Sequence, residues 1–409
     1  MSDRMFIGWM LILFVCIFGA LIPTRLADTE IAFSGDSHEY HLGAVNLVQN
    51  GMYSVDGETP TIEREPGQSF FLAAAYLIFG IGNTDAIFII QGILYFVSVL
   101  IFAFSLKRIT SVNTSRITAL ILLAFPPAYH AVFSLYRESI TLSMFLLFTA
   151  LFLSFQKSQT WAKAIGLGCL LGVIILTYLP FLYVSIFLIP ALLLLKIPKR
   201  YASAVVLMPF IFVMFWSARN YYHEGKFQPV GSFRTTAMWY ARAEQAEHVQ
   251  GLDPIKCLTA EYITRDWSGL PDACSTNSLI NTRWPGRIET GMEDQIAWES
   301  QMKIIQYLPH YLWFSVIEIV ELHIPFVNGW GRGYNIASAF GTLILYIGIV
   351  LSLGSIWKKK YAIFGVLVLY TNLVFMLTDT TPRYLLPVIF CYAVLSAIGY
   401  SKLLKRHNL

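Results

Sequence analysis

Long apolar runs, with polar and charged residues gathered between them, dominate this chain. The runs do not alternate with period two and are nearly free of charge inside, so they predict membrane-crossing helices rather than strands. Ten spans are expected, at roughly 5–23, 86–106, 117–134, 139–156, 163–178, 181–196, 202–218, 337–356, 361–378 and 384–401. Two more apolar stretches do not read as spans. Residues 68–81 are too short to cross, and residues 307–326 carry Glu318, Glu321 and His323. Both are expected as juxtamembrane helices on the outer face. The predicted fold class is an all-α polytopic membrane protein, a single membrane domain over residues 1–409. Its first outer loop covers 24–85, and a large polar outer loop covers 219–336. The first segment has Arg4 before it and Thr24-Arg25 after it, with no small-residue cleavage site, so it reads as a retained signal anchor.

Composition agrees. Hydrophobic residues make up 56% of the sequence and charged residues 13%, where a soluble domain would carry about a quarter charged. Mean hydropathy is +0.58. The charges then set the orientation. With the N-terminus inside, the short inner connections hold Arg4; Lys107, Arg108 and Arg116; Lys157 and Lys163; Lys196, Lys199 and Arg200; Lys358, Lys359 and Lys360; and Lys402, Lys405 and Arg406. Asp3 is the one acid among them. Every short loop follows the positive-inside rule. Counting 307–326 as a span would put Lys358–Lys360 outside. Both termini are therefore expected in the cytoplasm, with a multi-pass protein of a bacterial inner membrane as the expected location. These inner loops account for the net charge of +4, and nothing points to nucleic acid. Cys16, Cys169 and Cys391 fall within spans, whereas Cys257 and Cys274 share the large outer loop, where a disulfide is expected.

Chemistry-bearing residues gather on the outer side. Gly35-Asp36-Ser37-His38-Glu39-Tyr40 follows the first span, and Glu63-Arg64-Glu65-Pro66-Gly67 lies downstream in the same loop. A helix over 36–50, capped by Ser34, would put Asp36, Glu39 and Tyr40 on one face. A carboxylate there can act as a general base toward a hydroxyl. The planar fork of Arg64 suits a phosphate. Arg137-Glu138 opens the fourth span, Arg219-Asn220 closes the seventh, and Asp379 and Arg383 flank the last outer turn. Each has a plainer reading as a solvated loop acid, a surface ion pair or an arginine snorkelling to headgroups. Their convergence on one surface, where basic residues are mostly Arg while the inner ones are mostly Lys, favours anion coordination. His38 and His41 match no metal template, and no phosphate-cradling glycine loop is present, so neither a metal nor a cofactor is expected.

Read in order, these motifs resemble the GT-C superfamily of membrane glycosyltransferases, in particular the dolichyl-phosphate-mannose protein mannosyltransferases and the bacterial lipid A aminoarabinose transferases. The resemblance runs through Gly-Asp-Ser-x-x-Tyr, Arg-Glu-Pro-Gly, Arg-Glu-Ser-Ile, Trp216-Ser-Ala-Arg219-Asn220 and Pro382-Arg383-Tyr384-Leu-Leu-Pro387. It implies Asp36 as the catalytic acid, Arg64 as a contact to the lipid phosphate and Glu138 as an acid that shapes the site. It departs at Ser37, where the mannosyltransferases tend to have a second acid, and at Tyr178-Leu179-Pro180, where many relatives have Arg before the Pro. No soluble sugar-binding domain follows. The expected function is transfer of a sugar from a polyprenyl-phosphate donor to a glycan, lipid or protein acceptor on the outer face, within membrane lipid. Asp36 is the expected base of an inverting displacement, with Glu39 or Glu138 as the nucleophile a double displacement would need. Tyr40, Arg64, Arg137, Arg219, Asn220 and Arg383 are the expected substrate-binding set. The alternatives are a transporter or flippase of lipid-linked sugars and a non-catalytic subunit of an envelope glycan complex.

Overall fold

A computed structural model describes residues 2–26, 36–62, 64–225, 227–230, 292–325, 332–354, 358–378 and 381–406. Every regular element among these residues is helical. In chain order they are α1 (Asp3–Leu26), α2 (Asp36–Asn50), α3 (Pro66–Phe79), α4 (Thr84–Leu106), α5 (Val112–Ala124), α6 (Pro126–Val132), α7 (Glu138–Lys157) and α8 (Trp161–Thr177). Then come the short α9 (Val184–Phe187) and α10 (Ile189–Leu194), and α11 (Lys199–Glu224). After the large loop follow α12 (Met292–Gln306), α13 (Leu308–His323), α14 (Arg332–Ser352), α15 (Ala362–Leu377) and α16 (Ile389–Arg406). A tight 3₁₀ segment, Pro382–Val388, leads into α16.

Seven stretches among the described residues are long and apolar enough to cross a bilayer, and they coincide with seven of the ten predicted spans. The other three predicted spans are helical but short or broken. The 117–134 stretch divides into α5 and α6 at Pro126-Pro127, because proline removes a helix donor and clashes with the preceding turn. The 181–196 stretch divides into a 3₁₀ turn, α9 and α10 around Pro180 and Pro190. The third, α8, is a continuous helix of 17 residues. The predicted juxtamembrane stretches are α3 and α13, helices of 14 and 16 residues.

The most enclosed helices are α7 and α16. α7 lies between α4 and α8 and also meets the Pro382–Val388 segment, while α16 packs on α14 and α5. The α14–α16 approach depends on glycine. A Cβ on Gly399 would lie 2.0 Å from the Gly348 carbonyl oxygen, so only a bare Cα fits there. A second such contact matters more for the site. A Cβ on Gly67 would fall 2.2 Å from Thr177 Oγ1 and 2.7 Å from Thr177 Cα. Gly67 therefore lets the start of α3 press against the end of α8. α2 packs along α3, and Ser69 Oγ donates to the Tyr40 carbonyl at 3.1 Å. The described part of the segment between α1 and α4 is thus folded onto the ends of α7 and α8.

Candidate active site

Asp36 is the first residue of α2, and Glu39 lies one turn later. Arg64 stands two residues before α3, Glu138 opens α7, and Arg383 lies in the Pro382–Val388 segment. Folding brings these four parts of the chain together. Arg64 Nη2 donates to Asp36 Oδ1 at 3.2 Å, and Arg383 Nη2 donates to Asp36 Oδ2 at 3.0 Å. Each carboxylate oxygen of Asp36 thus faces a different guanidinium. Arg64 Nε also bonds to the Glu39 carboxylate. Arg383 Nε lies 3.7 Å from Glu138 Oε1. Asp36, Arg64 and Glu138 are almost closed to solvent, at 8%, 3% and 2% exposed, while Glu39 and Arg383 are partly buried. Burying charge this deeply costs several kcal/mol per ion unless it is paired, in the range of roughly 3–5 kcal/mol when one partner is lost. Here every charge has an opposite neighbour.

Aromatic rings frame the cluster. Arg64 lies over the Tyr40 ring at 5.7 Å, and Arg383 over the Tyr136 ring at 4.6 Å. Burial pushes the Tyr40 phenol well above its ordinary pKa, so it enters the site as a neutral hydroxyl. Tyr40 Oη and Glu138 Oε2 are buried without a hydrogen-bond partner among the described residues, and so is Arg383 Nε. Buried orphan polar atoms cost free energy and are concentrated where a ligand or water completes the set. These three lie on separate elements around Asp36.

Arg64 is held in place from several sides. Its neighbour Glu65 takes both carboxylate oxygens to Arg137 Nη1, at 2.6 Å each, and accepts the Leu179 N–H at 3.1 Å. Arg137 stacks 4.1 Å over the Tyr178 ring. Tyr53 Oη donates to the carbonyls of Arg64 and Glu65, at 3.2 Å and 3.1 Å. Pro66 then starts α3 at once, where its missing N–H costs nothing.

The sequence-predicted residues therefore divide. Asp36, Glu39, Tyr40, Arg64, Glu138 and Arg383 form one cluster. Arg137 stands beside it with its Nη1 committed to Glu65. Arg219 and Asn220 serve the loop. Arg219 donates to the Thr61 carbonyl at 2.6 Å and to the Tyr53 carbonyl at 3.3 Å, and Asn220 donates to the Gln228 carbonyl at 3.2 Å. Cys257, Cys274, Asp379 and Ser34 lie outside the described residues. Glu65 and Tyr178 carry no role in the sequence reading, and Tyr53 is absent from it. Among the described residues, no three His, Cys, Asp or Glu side chains come together as a metal site would require.

The comparisons with known proteins bear on this arrangement. The sequence model of the dolichyl-phosphate-mannose-protein mannosyltransferase family matches residues 63–218. That segment contains Arg64, Glu65, Arg137 and Glu138, and leaves Asp36 and Arg383 on either side. No curated protein matches the full sequence. The oligosaccharyltransferase of Archaeoglobus fulgidus in its apo form superposes over 97% of this chain and 51% of its own, with 13% identity and a TM-score of 0.54. The same enzyme tethered to an acceptor peptide containing an NVT sequon covers 97% and 50%, with 13% identity and a TM-score of 0.53. The chain has a GT-C fold. It spans about half the length of that archaeal protein. ArnT from Cupriavidus metallidurans bound to undecaprenyl phosphate also matches, over 97% of this chain and 78% of its own, with 12% identity and a TM-score of 0.46. Within this fold, two arginines from distant segments close on one buried carboxylate.

Proposed function

We propose that this protein transfers a sugar from a polyprenyl-phosphate-linked donor to an acceptor hydroxyl at the outer membrane face, with Asp36 as general base. The observation that carries this reading is the Arg64–Asp36–Arg383 bridge. The acceptor oxygen attacks the anomeric carbon while its proton passes to Asp36. The bond from that carbon to the phosphate oxygen breaks, and the polyprenyl phosphate leaves with its charge on the guanidinium groups. One displacement inverts the anomeric centre. Arg64 and Arg383 each keep donors not spent on Asp36, so a phosphate can join the cluster without displacing the base. Glu138 pairs with Arg383 at Nε, while Nη2 is on Asp36. The matched family, named for dolichyl-phosphate-mannose, supports a lipid-phosphate donor. The outer face is supported by the arrangement of the basic loops.

The test is donor turnover. Purified protein in lipid is given a panel of polyprenyl-phosphate sugars with membrane extract as acceptor source, and release of free polyprenyl phosphate is followed. One donor should be consumed, and Asp36→Asn should reduce the rate about 10²–10⁴-fold. Full activity in a folded Asp36→Asn protein would sink the assignment of the base. No release from any donor would sink the transferase reading.

A further inference from the structure

The opposite end of the bundle carries a second concentration of charge. Lys402 stands 19 residues after Arg383 along the Pro382–Val388 segment and α16, which places it about 30 Å from the Asp36 cluster. There a cavity of about 370 Å³ opens between three separate parts of the chain. The α4–α5 connection contributes Arg108, Thr110 and Ser111, the segment before α15 contributes Lys358 and Lys360, and α16 contributes Ser401 and Lys402. Among the described residues, four cationic side chains line the cavity and no carboxylate does.

Orientation signals alone do not account for this. A positive-inside signal requires basic residues in a loop, not their convergence on one cavity. Two nearby basic residues that do not line it are paired within the protein. Lys107 and Arg116 both reach Asp3, at 2.5 Å and 3.4 Å. Among the described residues the cavity has no such acid. Lys360 is fixed by a bond to the Ile109 carbonyl, which holds its charge at the rim. Thr114 and Ser401 also line it, Thr114 Oγ1 donating to Ser401 Oγ at 2.9 Å and Ser401 Oγ to the Ile398 carbonyl at 3.0 Å. Ser111 caps α5 through the Thr114 N–H, so the positive end of a 13-residue helix adds to the field. Cations converging from three segments beside a helix N-terminus are together the chemistry that recognises a phosphate group.

We propose that this cavity is a phosphate-binding site separate from the Asp36 cluster, taking either the headgroup of an anionic phospholipid or a soluble phosphate. Basic pockets between membrane helices on the cytoplasmic side are suited to anionic headgroups, and a volume of this order also admits a small soluble phosphate.

Isothermal titration calorimetry of the full chain in non-ionic detergent tests this and separates the two sources. The titrants are short-chain phosphatidylglycerol, short-chain phosphatidylcholine and inorganic phosphate. The expected result is binding of phosphatidylglycerol, inorganic phosphate or both, without binding of phosphatidylcholine. Phosphatidylglycerol alone identifies a lipid headgroup, and comparable binding of inorganic phosphate identifies a soluble source. The pair Arg108→Gln/Lys402→Gln should weaken that binding at least fivefold. The pair Lys157→Gln/Lys199→Gln removes the same charge from exposed positions elsewhere and should not. Thr110→Glu, which keeps every basic residue and so the orientation signals, should weaken binding as the cavity pair does. Equal weakening by the cavity and control pairs would overturn the proposal, as would equal binding of the two lipids or no binding of any titrant.

Discussion

The Glu65–Arg137 pair offers the sharpest energetic test of how the site is built. Its side chains are 7% and 9% exposed, so both charges lie out of water. Glu65→Leu would leave the Arg137 guanidinium buried over Tyr178 with no counter-charge, a loss of about 3–5 kcal/mol. The same change leaves the Leu179 N–H without its acceptor, a cost of about 1–3 kcal/mol within that total. Arg137→Met should cost a similar amount, because it strands a buried carboxylate. The double variant removes both charges and fills much of the same volume. Replacing a whole buried pair with apolar groups is close to neutral or stabilising by about 1–4 kcal/mol, so the double variant should be more stable than either single one. The assay is reversible unfolding in mixed micelles with increasing SDS, followed by tryptophan fluorescence. The coupling energy should exceed about 2 kcal/mol. If the double variant's loss equals the sum of the single losses within about 0.5 kcal/mol, the pair is not a coupled buried unit. The double variant also separates stability from activity. Arg64 depends on Glu65 for its placement, so recovered stability should come with a raised donor KM.

Other consequences can be measured directly. Gly67→Ala would force a Cβ to within 2.2 Å of Thr177 Oγ1, and such overpacking costs about 1–3 kcal/mol; an unchanged melting temperature would show that the α3–α8 contact is looser than described. Arg383→Lys keeps the charge but loses the planar fork, so donor KM should rise roughly ten- to a hundredfold, as expected for a charge-assisted hydrogen bond of about 1.5–3 kcal/mol; unchanged kinetics would remove Arg383 from phosphate binding. His41 shares a 2.7 Å hydrogen bond with Tyr76, and burial, followed by the nearby His38, holds its pKa below 6.5. The folded state therefore favours neutral His41. Its contribution to stability is full above about pH 6.5 and is lost as the pH falls through the lowered value. Melting curves between pH 7.5 and 5.5 should show a decline that His41→Asn flattens; an identical decline in the variant would place the pH sensitivity elsewhere.

Much of the site was legible because charge beside a membrane span is costly. Asp36, Arg64, Glu138 and Arg383 stood out at the ends of apolar runs, and the orientation of the basic loops put them on one surface. What the sequence withheld was pairing. Arg64, Arg137, Arg219 and Arg383 look alike as outer arginines, but the fold uses two of them as scaffold. Arg137 is drawn to Glu65 because both are buried at the meeting of α3, α7 and α8. Arg219 is drawn to carbonyls of the first loop, acceptors that every sequence has and none advertises. Glu65 was hidden by its neighbour, since a Glu-Arg-Glu run reads as a surface pair until Tyr53 and Leu179 are seen to close over it. The helix breaks inside two predicted spans went unread where proline interrupts an apolar run. Hydropathy registers total apolar length, whereas Pro126-Pro127 and Pro180 act on the backbone alone. These breaks have a consequence for the site. The turn at Leu179–Phe181 presents the Leu179 N–H to Glu65, which an unbroken helix would have spent on its own carbonyl four residues back. The same Pro180 that spoils the hydropathy reading thus frees the donor that helps fix Arg64, and a Pro180→Ala variant that let the helix continue would be expected to loosen the loop at Arg64 before it disturbed the bundle.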